Sequence, residues 1–172
     1  MSSQLDTLRW QFDLAWRLAG YHLPALTDDM CVWAPSVDAW NVRRGADGVW
    51  RHDWADAEPE PAPPVSIGWL TWHLIWWWSG MSVAVRGETP PSRESVVWPG
   101  DAEGVRRRLG VLASEWAVLL EGLREGELDR TIAHPWPQPR PLAIGLAWVN
   151  LELMKNVAEI GVVRHLYEAA RR

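Results

Sequence analysis

Cysteine, lysine and phenylalanine are almost missing from this chain of 172 residues: each occurs once, as Cys31, Lys155 and Phe12. One cysteine excludes an internal disulfide, and the opening MSSQLDTLRWQF lacks the charged-then-apolar profile of a secretory leader, so the cytoplasm is the expected compartment. An excess of positive charge is missing too. The net charge of −5 argues against a polyanion-binding surface despite RRR at 106–108, and nucleic acid is not an expected partner. The longest apolar run, IGWLTWHLIWWWSGMSVAV, nears spanning length but carries Thr71, His73, Ser79, Ser82 and two glycines, so no membrane partner is expected. A G-x-S-x-G elbow and a Gly-rich phosphate loop are also absent, which removes the usual hydrolase and nucleotide signatures.

What is present is helix pattern and tryptophan. The length suits one domain over residues 1–172, able to bury roughly two thirds of its unfolded surface. Apolar residues recur at Leu8, Phe12, Ala15, Leu18, Ala19 and His22, predicting a first helix from Gln4 to about Leu26. Thr27 can cap a short turn after it. Residues 34–64 hold a DG pair between short alternating segments and then a Pro/acid-rich stretch; a small hairpin that packs across the bundle mouth is expected there. Ser66 caps a second long helix to about Arg86, Asp101 a third to about Leu123, and a fourth runs from about Leu142 to Ala170. Core positions of the third are Val105, Leu109, Leu112, Trp116 and Leu119. The fold class is therefore all-α, a four-helix bundle with an irregular insert between its first two long helices.

At about 100° per residue, His73 shares a face with Trp69, Trp76, Trp77, Gly80 and Ala84, opposite Thr71, Ser79, Ser82 and Arg86, and so points to the core. On the last helix Glu152, Lys155, Asn156 and Glu159 fall within an arc of about 100°, continued by Trp148, Val163 and Leu166. Asn150, Arg164, Glu168 and Arg171 occupy the other side. The polar quartet is thus expected to face inward, and a buried charge must be paired, hydrogen-bonded, metal-bound or neutralised. The other sixteen basic residues are all arginine, so a lysine between two glutamates is conspicuous. Arginine and alanine usage of this kind also points to a GC-rich bacterial genome.

Helix, loop with Ala39-Trp40, helix with Trp72-His73, helix, and a last helix with AEIG at 158–161 resembles, over nearly the whole chain, the DinB-like superfamily of bacterial four-helix bundles. The resemblance implies a divalent metal at the bundle centre, with one histidine from the second long helix and two ligands four residues apart on the last. It also implies a homodimer and kinship with thiol-dependent S-transferases, including bacillithiol and mycothiol transferases, and with maleylpyruvate isomerase. By position His73 and Glu159 match outer ligands, and Lys155 stands where the middle ligand is expected. An ammonium has no lone pair to give a metal.

Three arrangements follow. The metal, zinc or nickel, is held by His73 and Glu159 with Glu152 and water; or Lys155 replaces it as an internal cation between Glu152 and Glu159; or the quartet faces solvent or a partner. Stoichiometric metal is not expected. As an internal cation, Lys155 would cost about 3 to 5 kcal/mol on replacement. The residues assigned to chemistry are His73, Lys155 and Glu159, and those to ligand binding are Trp40, Trp69, Trp76, Trp77, Glu152 and Asn156. The expected function is transfer or isomerisation with a low-molecular-weight thiol, or, as the alternative, non-catalytic binding of a small molecule in a stress-associated protein. Fifteen tryptophans either fill a core or wall a pocket; Trp40, Trp50, Trp54 and Trp136, in loops, are the better pocket candidates. Ser66, Ser79 and Ser82 read as caps or packing, and His22, His52, Asp53, His134 and His165 as loop or helix-end residues. Cys31, beside acids, reads as inert.

Overall fold

The computed structural model describes residues 3–57 and 59–172. Its frame is α1 (Gln4–His22), the short α2 (Asp28–Val32), α3 (Ile67–Val85), α4 (Ala102–Gly122) and α5 (Leu142–Ala170). Four of the five starts have a side-chain cap. Ser3 and Asp6 form a reciprocal capping box, and Thr27, Ser66 and Asp101 accept from the backbone N–H of Met30, Trp69 and Gly104. The first helix stops four residues short of the expected Leu26, because Leu23–Ala25 tightens into a 3-10 turn around Pro24.

Helix α5 packs between α1 and α3, and α3 packs in turn on α4. Arg9 of α1 donates to the carbonyls of Leu120, Glu121 and Leu123, closing the bundle on the end of α4. Indoles fill the middle: Trp72, Trp78 and Trp116 are fully buried, with Trp78 meeting Phe12 and Trp16 edge to face. Helices α3 and α5 are each covered by more than one neighbour, so their exposed faces are narrower than the sequence predicts. Thr71 and Ser82, expected on the far side of α3, are buried; Thr71 Oγ1 accepts from Trp98 Nε1 at 2.9 Å. Asn150 and Arg164, expected outward on α5, are buried against α1, where Asn150 Nδ2 donates to the Leu8 carbonyl.

The insert forms the expected hairpin, with β1 (Val42–Arg44) antiparallel to β2 (Trp50–His52). Gly48 turns it at φ 79°, a backbone angle glycine takes without strain. The insert is fastened to the start of α3: Trp40 N–H donates to the Pro64 carbonyl, Ser66 N–H to the Trp40 carbonyl, and Trp69 Nε1 to the Asp53 carbonyl. Gly68 allows that closeness, since a Cβ there would stand 2.5 Å from Val42 Cγ2 of β1, and 2.8 Å from the Cys31 carbonyl oxygen of α2. A second small pair, β3 (Thr131–Ile132) with β4 (Arg140–Pro141), was not expected from the Pro-rich lead into α5. Among the described residues no helix is long and apolar enough to cross a membrane.

Candidate functional site

Between α3, α5 and the insert lies a cavity of about 410 Å³, walled by Trp40, Trp54 and Trp69 and reached by His73, Asn156 and Glu159, with Lys155 at its mouth. Its size suits a small organic ligand. The three indoles form one packed wall. Trp40 lies 5.4 Å from Trp69 and 6.0 Å from Trp54, and Arg93 sits over the outer face of Trp54 at 4.6 Å. Trp69 also stacks on the His73 ring at 4.9 Å.

The polar floor is ordered by one amide. Trp77 Nε1 can only donate, so the Asn156 atom it meets at 3.1 Å is the carbonyl Oδ1. The Asn156 Nδ2 then donates to Glu159 Oε2 at 3.1 Å. His73 Nδ1 lies 3.3 Å from that same Oδ1, and an acceptor needs a donor, so the neutral ring carries its proton on Nδ1 and its lone pair on Nε2. Burial holds the imidazole down to about 4, the Lys155 charge pushes the same way, and the Asn156 bond opposes them. His73 is therefore neutral at physiological pH.

Asn156 is 1% exposed, whereas the Lys155 side chain is 51% exposed. This corrects the expected internal cation. Lys155 Nζ pairs with Glu152 at 2.9 Å, and Glu159 is held by Asn156 instead. A pair so open to water contributes little, so Lys155→Met is expected to change stability by no more than about 0.5 kcal/mol in urea denaturation, far below the loss expected of a buried pair.

Of the residues expected at the site, His73, Lys155, Glu159, Trp40, Trp69 and Asn156 meet in the cavity. Trp76, Trp77 and Glu152 stand behind it: Trp76 packs edge-on to Trp54, Trp77 holds Asn156, and Glu152 holds Lys155. Trp50 is turned away against Trp98, and Trp136 packs on Trp148. His52 stacks on Trp72, and His134 packs against Gly80. Burial pushes the Cys31 thiol up to about 12, in keeping with an inert side chain. Missed in the sequence were Ala55, Asp56, Ala62 and Pro63, cavity-lining residues from the Pro/acid-rich stretch.

A family model of the DinB superfamily matches residues 11–160. The chain belongs to the DinB superfamily. Its fold is similar to the crystal structure of a conserved protein from Enterococcus faecalis, with a TM-score of 0.65 at 12% identity over 96% of this chain and 98% of that one. No curated protein matches the chain.

The metal that DinB resemblance implies can be tested on the donor set. His73 Nε2 has a free lone pair, but one Glu159 oxygen is taken by Asn156, and Lys155, where the resemblance expects the middle ligand, offers an ammonium paired with Glu152. Among the described residues no three His, Cys, Asp or Glu side chains gather. A catalytic divalent ion needs about three protein ligands, so this DinB-superfamily site does not fit one.

Proposed function

We propose that the cavity binds a small flat organic molecule without a divalent metal, its ring against Trp40, Trp54 and Trp69 and a donor group on the lone pair of His73 Nε2. The observation that supports this most is the Trp77–Asn156–His73 chain, which fixes the histidine tautomer beside an aromatic wall. Tryptophan fluorescence gives the test. 2-Naphthol, which can donate, is expected to bind about tenfold tighter than 2-methoxynaphthalene, in the range of one hydrogen bond, with or without EDTA. His73→Phe should erase the difference. Equal binding of the two compounds by the unaltered protein would falsify the role given to His73.

Thiol-dependent transfer or isomerisation is the second reading, favoured by the ammonium of Lys155 at the cavity mouth, which can stabilise a thiolate. The imidazole is a poor match for the proton. With His73 held down to about 4, proton transfer from an ordinary thiol near 8.5 runs uphill by on the order of 6 kcal/mol, so Lys155 must supply the activation. Binding is the reading that the geometry favours. The homodimer implied by resemblance also stands as a proposal, with exposed Trp10 and Leu14 of α1 as its contact; light scattering at high micromolar concentration reads it, a single 19.6 kDa species counting against it.

A further inference from the structure

Outside the cavity, α5 carries apolar side chains that the bundle leaves uncovered. Val162 is 58% exposed and Leu166 50%, and with Ala158 they follow Lys155 at spacings of three, four and four residues, a single helical face. They floor a groove of about 440 Å³ whose other wall is Pro35 and Pro64. Ala158 makes it concave, since its side chain is the smallest on that face. Three residues, Val65, Lys155 and Glu159, line both the groove and the tryptophan-walled cavity, so the two spaces meet there.

We propose that the ligand is elongated and amphipathic: a flat head in the cavity, a polar joint between Lys155 and Glu159, and an unbranched aliphatic tail along Ala158, Val162 and Leu166. The inference rests on the head-binding reading above and adds the class of molecule. Charge and shape agree along the path. Among the described residues, the only charged groups lining the groove are Lys155 and Glu159, a donor and an acceptor at its inner end, which suits an amide joint offering one carbonyl and one N–H. Beyond them the lining is apolar for seven residues of helix, about 10 Å. A site for a compact polar molecule has no use for that run, and an aliphatic chain leaving the cavity has nowhere drier to lie.

A homologous series tests this: 6-hydroxy-2-naphthamide with no N-alkyl group and with N-butyl, N-hexyl and N-octyl groups, titrated below micellar concentrations. Each added methylene that reaches the groove is expected to tighten binding about threefold to fourfold, levelling off once the tail passes Leu166. Ala158→Phe, which fills the groove at an exposed position, and Val162→Glu, which puts a charge in it, should each reduce that gain below twofold while the unsubstituted amide still binds. If the head binds and tail length adds nothing, the groove assignment fails and the cavity reading stands. If tail gain persists in both variants, it is non-specific and the assignment fails likewise. Failure of the unsubstituted amide to bind overturns the cavity reading itself. Self-association of the chain that Val162→Glu abolishes, with no tail gain, shows a second copy on this face and also overturns the proposal.

Discussion

Replacing Asn156 with Leu is expected to cost about 2 to 5 kcal/mol of stability, read as a drop in the urea midpoint. The number of side-chain heavy atoms is kept and leucine is the bulkier, so the loss is not a cavity. Two donors, Trp77 Nε1 and His73 Nδ1, lose their shared acceptor inside the protein, and a buried polar group left without a partner costs about 1 to 3 kcal/mol. Glu159 loses its donor as well. Asn156→Asp separates the contributions, because it keeps an acceptor for the two ring N–H groups while placing a carboxylate beside Glu159. It should also raise the His73 pKa, by setting a negative charge against the ring. A loss under about 0.5 kcal/mol for Asn156→Leu would mean that the amide orders nothing, and the tautomer assigned to His73 would fall with it.

Stability is also expected to fall steeply between pH 6.5 and 4. Four histidines are held below the ordinary imidazole value: His73 by burial and Lys155, His22 by burial and then Arg164 and His165, His52 by burial and then Arg93, and His134 by burial alone. In each case the folded protein takes up a proton less readily than the unfolded chain. Their contribution is therefore complete above about pH 6.5 and is lost as pH falls toward the folded values, which for His73 extends to about 4. His73 alone accounts for roughly 2 to 3 kcal/mol across that window. Urea denaturation at a series of pH values reads the slope, and His73→Gln should flatten it. An unchanged slope in that variant would show that the ring is solvated rather than held dry.

Helix ends were legible in the sequence because caps are local chemistry: Ser66 and Asp101 begin α3 and α4 as expected, and α5 keeps its expected bounds from Leu142 to Ala170. Helix faces were not, because α3 and α5 are each covered on more than one side and carry no single apolar stripe. Polar residues can then be interior if their atoms are used. Asn150 spends its amide on α1, and Arg164 lies over Tyr21, while apolar Val162 and Leu166 remain outside. The same effect divided the quartet on α5. Burial follows Leu153, Asn156, Val157 and Ile160, so Asn156 lies inside and Lys155, at the far edge of the arc, reaches only the mouth. His73 and Glu159 could be picked out by position. The part played by Asn156 could not, since nothing in a sequence marks which buried amide will meet an indole N–H from another helix. Nor could β3 and β4, which at two residues each are too short to carry an alternating pattern.

The half-exposed Lys155 carries the only side-chain amine in the chain, and it stands where the cavity and the outer groove join. Arginine-rich surfaces are silent to acylating reagents, so an activated ester directed at side chains has one address here. A dye whose emission depends on solvent polarity, coupled at that nitrogen, would sit at the entrance and change colour as the entrance dries or fills. A single lysine thus gives the protein a built-in attachment point for watching its own doorway.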